Sequence, residues 1–343
     1  AILQGAAVLW TAQGAYMVAI SQQGRQMPRP SSHTSELKVV SAITVEQCQA
    51  AFFAAFSTTG LVGFALAILL IDGFRTSDVT VLWALAAWSF ASSSAFLLLP
   101  PLSTTNDEQL ESTGQTVTST AAVKPFSFED AALKAGTMLS LFRHSEMRLV
   151  GVSFLHLACQ ESLFWGVVAA RMRSKLLVRA YFAHGVCSAA ACIIFGAKCW
   201  DERESTKDGD TATARMCVAS STSRATALVL VSVVGCLAAA TGLSGEGNGY
   251  KALLFLGIAL FGVSDYAAQA LLRAQVGQRF DGSALLEAAM AHVSFCLTAG
   301  NVLMFSLGPL VSGTSQAVFV ACLGLVSTVC LVVMERRDSG GSG

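Results

Sequence analysis

Charge is scarce in this sequence and favours neither sign. Asp, Glu, Lys and Arg make up 13% of the 343 residues, and 22 basic side chains balance 22 acidic ones. A chain of zero net charge offers no electrostatic footprint for nucleic acid, which is gripped through its phosphates. It offers equally little to an electrostatically steered soluble partner. Motifs of covalent and redox chemistry are lacking as well. No P-loop, Ser-His-Asp order, dinucleotide fingerprint or haem-attachment CxxCH occurs, so nothing supports an enzyme and no cofactor is expected. The ten cysteines show no CxxC spacing and no paired His at ligand distance, which leaves a metal site without support. Cys159, Cys187, Cys192, Cys236, Cys296, Cys322 and Cys330 instead sit in apolar runs, where cysteine behaves as a small hydrophobe.

Hydrocarbon is what the chain has in excess: 53% of residues are hydrophobic, and the mean hydropathy is +0.58, well above soluble-protein norms. The apolar residues fall into nine stretches, 1–20, 50–71, 79–100, 148–170, 177–197, 225–243, 252–274, 284–308 and 314–334. About 20 apolar residues span a bilayer as a helix, and in lipid only helices and closed barrels satisfy every backbone N–H and C=O. Barrel strands would show about 10 alternating residues each, a pattern missing here. The expectation is an all-α polytopic membrane protein of about nine spans, in a membrane that the sequence does not specify. Bound lipids are the only small molecules expected.

Polar connections divide the chain. Segment 21–49 carries Pro28 and Pro30 and reads as a solvent loop. Pro100-Pro101 closes the third stretch, since proline cannot continue a helix. Residues 103–123 are too rich in Ser, Thr, Gln and Glu to bury a core, which predicts disorder. Ser127 with Asp130 fits a capping box, and Leu133, Met138, Leu141 and Phe142 suggest a short amphipathic helix against the bilayer or the bundle. Residues 198–224 read as a third charged loop. The resulting division is an incomplete N-terminal half over 1–100, a central loop over 101–147, a six-helix half over 148–335 and a tail over 336–343. Loops 21–49, 101–148, 198–224 and 273–283 and the C-terminus together hold sixteen Lys and Arg against six on the other side. The positive-inside rule makes that side cytoplasm-like.

Three spans, a long loop and six more spans suit a pseudo-symmetric transporter layout of two six-helix halves. The run Gln4-Gly5-Ala6-Ala7-Val8-Leu9-Trp10-Thr11-Ala12-Gln13-Gly14-Ala15-Tyr16 resembles the fourth-helix signature of the Unc-ninety-three-like family of the major facilitator superfamily. Leu141-Phe142-Arg143 followed by Gln160-Glu161-Ser162-Leu163-Phe164-Trp165-Gly166 is similar to that family's seventh helix, and Gly262-Val263-Ser264-Asp265 to its tenth. Departures include Phe64 after Gly63, where the family often has Asn, and Tyr266-Ala267-Ala268-Gln269 in place of an Asn-Thr-Gln run. The resemblance implies helices four to twelve of a major-facilitator bundle, three helices upstream of residue 1, and a regulatory or accessory subunit that binds channels, receptors or other membrane proteins. The alternatives are a secondary transporter of a small solute or ion, and a structural subunit of an organellar energy-converting assembly.

Ionisable groups inside spans are the sharpest candidates, since each costs about 2.5–3.5 kcal/mol at mid-helix on insertion scales. Glu161 reads either as a proton or substrate site or as a helix-to-helix hydrogen bond. Asp265, Gln269 and Arg273 recur every four residues on one helix face. They would line a polar cavity or lock packing through an internal network, with Arg273 snorkelling from the span's end. Gln13 offers a ligand contact or an interhelical bond. His184 and His292 are packed or hydrogen-bonded by default and proton relays otherwise, and Glu287 suits a helix start. Small residues spaced for close helix contact, Gly60, Gly63 and Ala67 with Ser89 and Ser93, form a candidate docking face.

Overall fold

The computed structural model describes residues 45–77, 79–81, 83–84, 86–87, 128–172, 174–204, 211–280 and 285–340. The first expected span, most of the third, the loops 21–44 and 101–127, and with them Gln13, Ser89 and Ser93, lie outside these residues. Every regular element among the described residues is helical. α1 runs Val45–Ile68 and is prolonged by a π-helical turn, Leu69–Gly73. α2, Phe128–Ser140, is the short helix expected before the fourth span and ends in a 3-10 turn, Leu141–Arg143. α3 covers Ser145–Ser162 and passes through a π-helical turn, Leu163–Val168, into Ala169–Arg171. α4 (Ser174–Glu204), α5 (Thr211–Leu243), α6 (Asn248–Arg279), α7 (Leu286–Leu307) and α8 (Gly313–Gly340) complete the order.

Seven of these helices, all but α2, are long and apolar enough to cross a membrane. The protein is an all-α, multi-pass membrane protein. Several helices outrun their apolar stretches. The expected charged loop 198–224 is helical on both sides, since α4 continues to Glu204 and α5 starts at Thr211. Hydropathy marks where lipid ends, whereas Ala, Lys, Arg and Glu keep a backbone helical well into water. The α5–α6 connection is correspondingly tight. Gly247 there adopts φ 110 and ψ −179, a region open essentially to glycine alone.

The helices pack as a bundle in which α5 lies against α6 and α8, α4 against α1 and α6, and α3 against α7 and α8. Close approach depends on small residues. A Cβ on Gly300 of α7 would come within 2.7 Å of the Leu155 carbonyl of α3, and one on Gly257 of α6 within 3.0 Å of the Gly235 carbonyl of α5. α2 docks on α7, where Leu141 just beyond it is fully buried while Leu133 remains 72% exposed.

Ion pairs define the two faces of the bundle. On one face Arg279, at the end of α6, donates to Asp338 of α8 at 2.5 Å and pairs with Glu146 of α3 at 3.0 Å. On the other, Asp72 at the end of α1 pairs with Lys175 and Arg179 of α4 at 3.4 and 2.6 Å. The first face gathers the helix ends that the count of basic residues places together. A membrane-impermeant maleimide is therefore expected to label Asp338→Cys and Lys175→Cys from opposite sides of a sealed vesicle. Labelling of both from one side would contradict this arrangement.

Candidate functional site

Two apolar clusters fill the bundle at different depths. Phe53, Phe154, Leu157, Leu271, Leu272 and Met290 belong to one, and Leu163, Phe164, Tyr181, Ile258, Phe261 and Val320 to the other. Along each of α3, α4, α5, α6 and α8, polar side chains fall where one cluster gives way to the other. Gln160, His184, Ser188, Ser232, Ser264, Asp265 and Ser327 are all buried there. A belt of polar groups at mid-depth is costly in lipid unless its members bond to one another.

Most of the belt does so. Ser57 of α1 and Ser188 of α4 share a hydrogen bond at 2.9 Å, and Ser327 of α8 donates to Ser153 of α3 at 2.7 Å. His156 Nε2 meets Ser232 Oγ at 2.8 Å, linking α3 to α5. Ser162 donates to Asn301 at 2.6 Å, tying α3 to α7. His292 is buried against the edge of Phe142, with ring centroids 4.3 Å apart.

The charged part of the belt lies between α3, α4 and α6. Glu161, His184 and Asp265 each lie within about one turn, ~3.6 residues, of the middle of their spans. Asp265 is fully buried, His184 is 3% exposed and Gln269 5% exposed. Gln269 Nε2 donates to Asp265 Oδ1 at 2.9 Å, as the four-residue spacing suggests. Asp265 Oδ2 faces His184 Nε2 at 3.9 Å, and neither atom has a hydrogen-bond partner among the described residues. Glu161, one turn before the Trp165 of its motif, is within electrostatic reach of both Asp265 and Arg273. Gln160 next to it donates to Ser264 at 3.1 Å, while its own Oε1 is buried without a partner.

Arg273 corrects the snorkelling expectation. It is 1% exposed, and its guanidinium carbon lies 5.8 Å from the centre of the Phe53 ring of α1. Its stem does not reach out because α1 and α4 cover that face of α6, so the charge is held inside near Glu161.

Aromatic rings enclose His184. The centroids of Phe261, Trp165, Tyr181 and Tyr266 lie 4.6, 5.8, 6.1 and 6.2 Å from that of the imidazole. Trp165 and Tyr181 stack face to face at 4.0 Å. The π-helical turn at Leu163–Val168 shifts the hydrogen-bonding register, and the Tyr181 hydroxyl donates to the Phe164 carbonyl. Such turns recur at functional sites. Gly262 sets the spacing between α4 and α6, since a Cβ there would come within 2.5 Å of the His184 carbonyl oxygen.

Of the candidates read from sequence, Glu161, Asp265, Gln269 and His184 thus come together, and Gln13 is outside the described residues. Gln160, Ser264, Tyr266 and the ring enclosure were not foreseen. Gln160 was legible only as the neighbour of Glu161 in its motif. On the candidate docking face, Gly60 is exposed with nothing within 4 Å of where a Cβ would sit, whereas Gly63 and Ala67 are buried within the chain. No group of three or more His, Cys, Asp and Glu side chains suited to a metal ion forms among the described residues.

The fold and the belt define a polytopic helical membrane protein with a charged cluster at mid-depth. No protein family, curated protein or solved structure matches this chain.

Proposed function

We propose that this protein is a secondary transporter of a small solute or ion, of major-facilitator type, with its site at Glu161, Asp265, His184 and Arg273. The observation that carries the reading is the unbonded Asp265 Oδ2 facing the unbonded His184 Nε2 at 3.9 Å in the bundle interior. A network kept only to lock helices together satisfies its members, because a half-satisfied buried network is worse than an apolar one. Ser221 Oγ, Gln275 Oε1 and Gln316 Oε1 also lack partners among the described residues, but only in this cluster do an unbonded carboxylate oxygen and an unbonded imidazole nitrogen, Asp265 Oδ2 and His184 Nε2, face each other. Charge points the same way. Two carboxylates accompany a single guanidinium, so the cluster has room for one more positive charge. Intramembrane ionisable groups of this kind mark substrate and ion pathways. α1 supports the layout too, since it packs on α4 and α6 and brings Phe53 over Arg273, as a helix of a first half would against the second.

The test is a thermal-shift screen of the purified protein against inorganic cations, organic amines, amino acids and sugars. At least one class should raise the melting temperature of the wild type and fail to do so with Asp265→Asn. The same solute should accumulate in proteoliposomes. A well-folded, monodisperse protein that no class stabilises and that moves no solute defeats the reading.

A second reading, an accessory subunit that binds and stabilises other membrane proteins, draws on α1. Only 17% of its most apolar window is buried within the chain. On that reading a native gel in mild detergent shows a complex far above 35.8 kDa, which Gly60→Phe disperses.

A further inference from the structure

We propose that Asp265 and His184 hold one exchangeable proton between them, so that the ion bound at this site is H⁺. The coupling role of that proton rests on the transporter reading above; the proton site itself rests on the geometry. Asp265 spends one carboxylate oxygen on Gln269 at 2.9 Å and turns the other, buried and unbonded, toward His184 Nε2 at 3.9 Å. That gap exceeds a hydrogen bond by about 1 Å. A carboxylate oxygen opposite an imidazole nitrogen is a site for a shared hydrogen, as O–H···N or as N–H···O. The step is proton transfer alone: one O–H or N–H bond forms on the pair and one O–H bond breaks on a hydronium ion, which leaves as water, with no electron moved.

The surroundings favour a proton over a metal cation. A hard metal ion needs a shell of oxygen ligands, whereas His184 is enclosed by the rings of Phe261, Trp165, Tyr181 and Tyr266. Among the described residues, the charged and titratable groups facing the pair are Glu161 from α3, Tyr181 and Cys192 from α4, and Tyr266 from α6, while Arg273 faces Glu161. α1 presents the uncharged rings of Phe53 and Phe56 to Tyr266. With Arg273 opposite Glu161, the remaining carboxylate is balanced by a single proton.

Infrared difference spectroscopy of the purified protein, titrated between about pH 8 and about pH 5, tests this around the imidazole range. A protonated-carboxyl band or the imidazole ring bands should change as one group titrates. Asp265→Asn should abolish that change, and His184→Gln should abolish it or move its midpoint by about one unit or more. A wild-type spectrum with no such change overturns the proposal whether or not the variants fold. So does a change that survives both substitutions unaltered. Solute flux without a titrating band removes the proton and leaves the transporter. A titrating band that obeys both variants upholds the proton site even if no solute moves.

Discussion

Arg273→Gln is expected to destabilise the protein by about 3–5 kcal/mol, the cost of stranding a buried opposite charge. Arg273 is 1% exposed and electrostatically coupled to Glu161, which shares the cluster with Asp265. Removing the guanidinium leaves the Glu161 carboxylate in the bundle interior without its cation. Arg273→Lys should recover only part of the loss, because a compact ammonium lacks the planar face that the guanidinium presents to Phe53. Adding Glu161→Gln to Arg273→Gln should recover more than half, since neither position then carries a charge. Unfolding in detergent measures each variant. The exposed Arg337 supplies the control: Arg337→Gln should stay within about 0.5 kcal/mol of wild type. Equal effects at the two arginines would show that Arg273 holds no buried charge.

Gly262→Ala is expected to destabilise by about 1–3 kcal/mol, the usual cost of overpacking, and to disable the site at the same time. Its Cβ would stand 2.5 Å from the His184 carbonyl oxygen and 2.9 Å from the His184 Cα. Both are backbone atoms, which cannot rotate away as a side chain would. α4 must slide off α6, and the 3.9 Å between His184 and Asp265 must widen. Gly166→Ala, with nothing within 4 Å of the added atom, should be neutral or gain up to about 1 kcal/mol of helix propensity. Thermal unfolding checks the first effect, and the infrared titration the second. A Gly262→Ala protein that melts and titrates as wild type does would mean that α4 and α6 have slack there.

Helix existence and type were legible because lipid admits few backbone solutions. The stretches 148–170 and 284–308 foretell α3 and α7 with modest error at their ends, whereas 225–243 misses the first fourteen residues of α5, which starts at Thr211. The stretch 177–197 falls short of α4, Ser174–Glu204, because apolarity stops at the lipid boundary and the helix does not. The four-residue recurrence of Asp265, Gln269 and Arg273 was equally legible, as was the Gln269–Asp265 bond that follows from it. Arg273 was misread as snorkelling because position along one span says nothing of which helices cover it. The docking face shows the same gap: Gly60, Gly63 and Ala67 look alike in sequence, yet Gly60 is open while Gly63 and Ala67 are buried.

The sequence by itself determined that this is a multi-pass helical membrane protein and that Glu161, His184 and Asp265 lie inside apolar spans. Apolar length and residue offset depend only on the rise of a helix and the thickness of a bilayer. Tertiary structure decided that these groups meet. The approach of α4 and α6 at Gly262, the placement of Phe53 over Arg273 and the pairing of His156 with Ser232 each join helices distant in the chain. Such contacts depend on the rotation of each helix about its axis, which side-chain packing sets and no single span encodes.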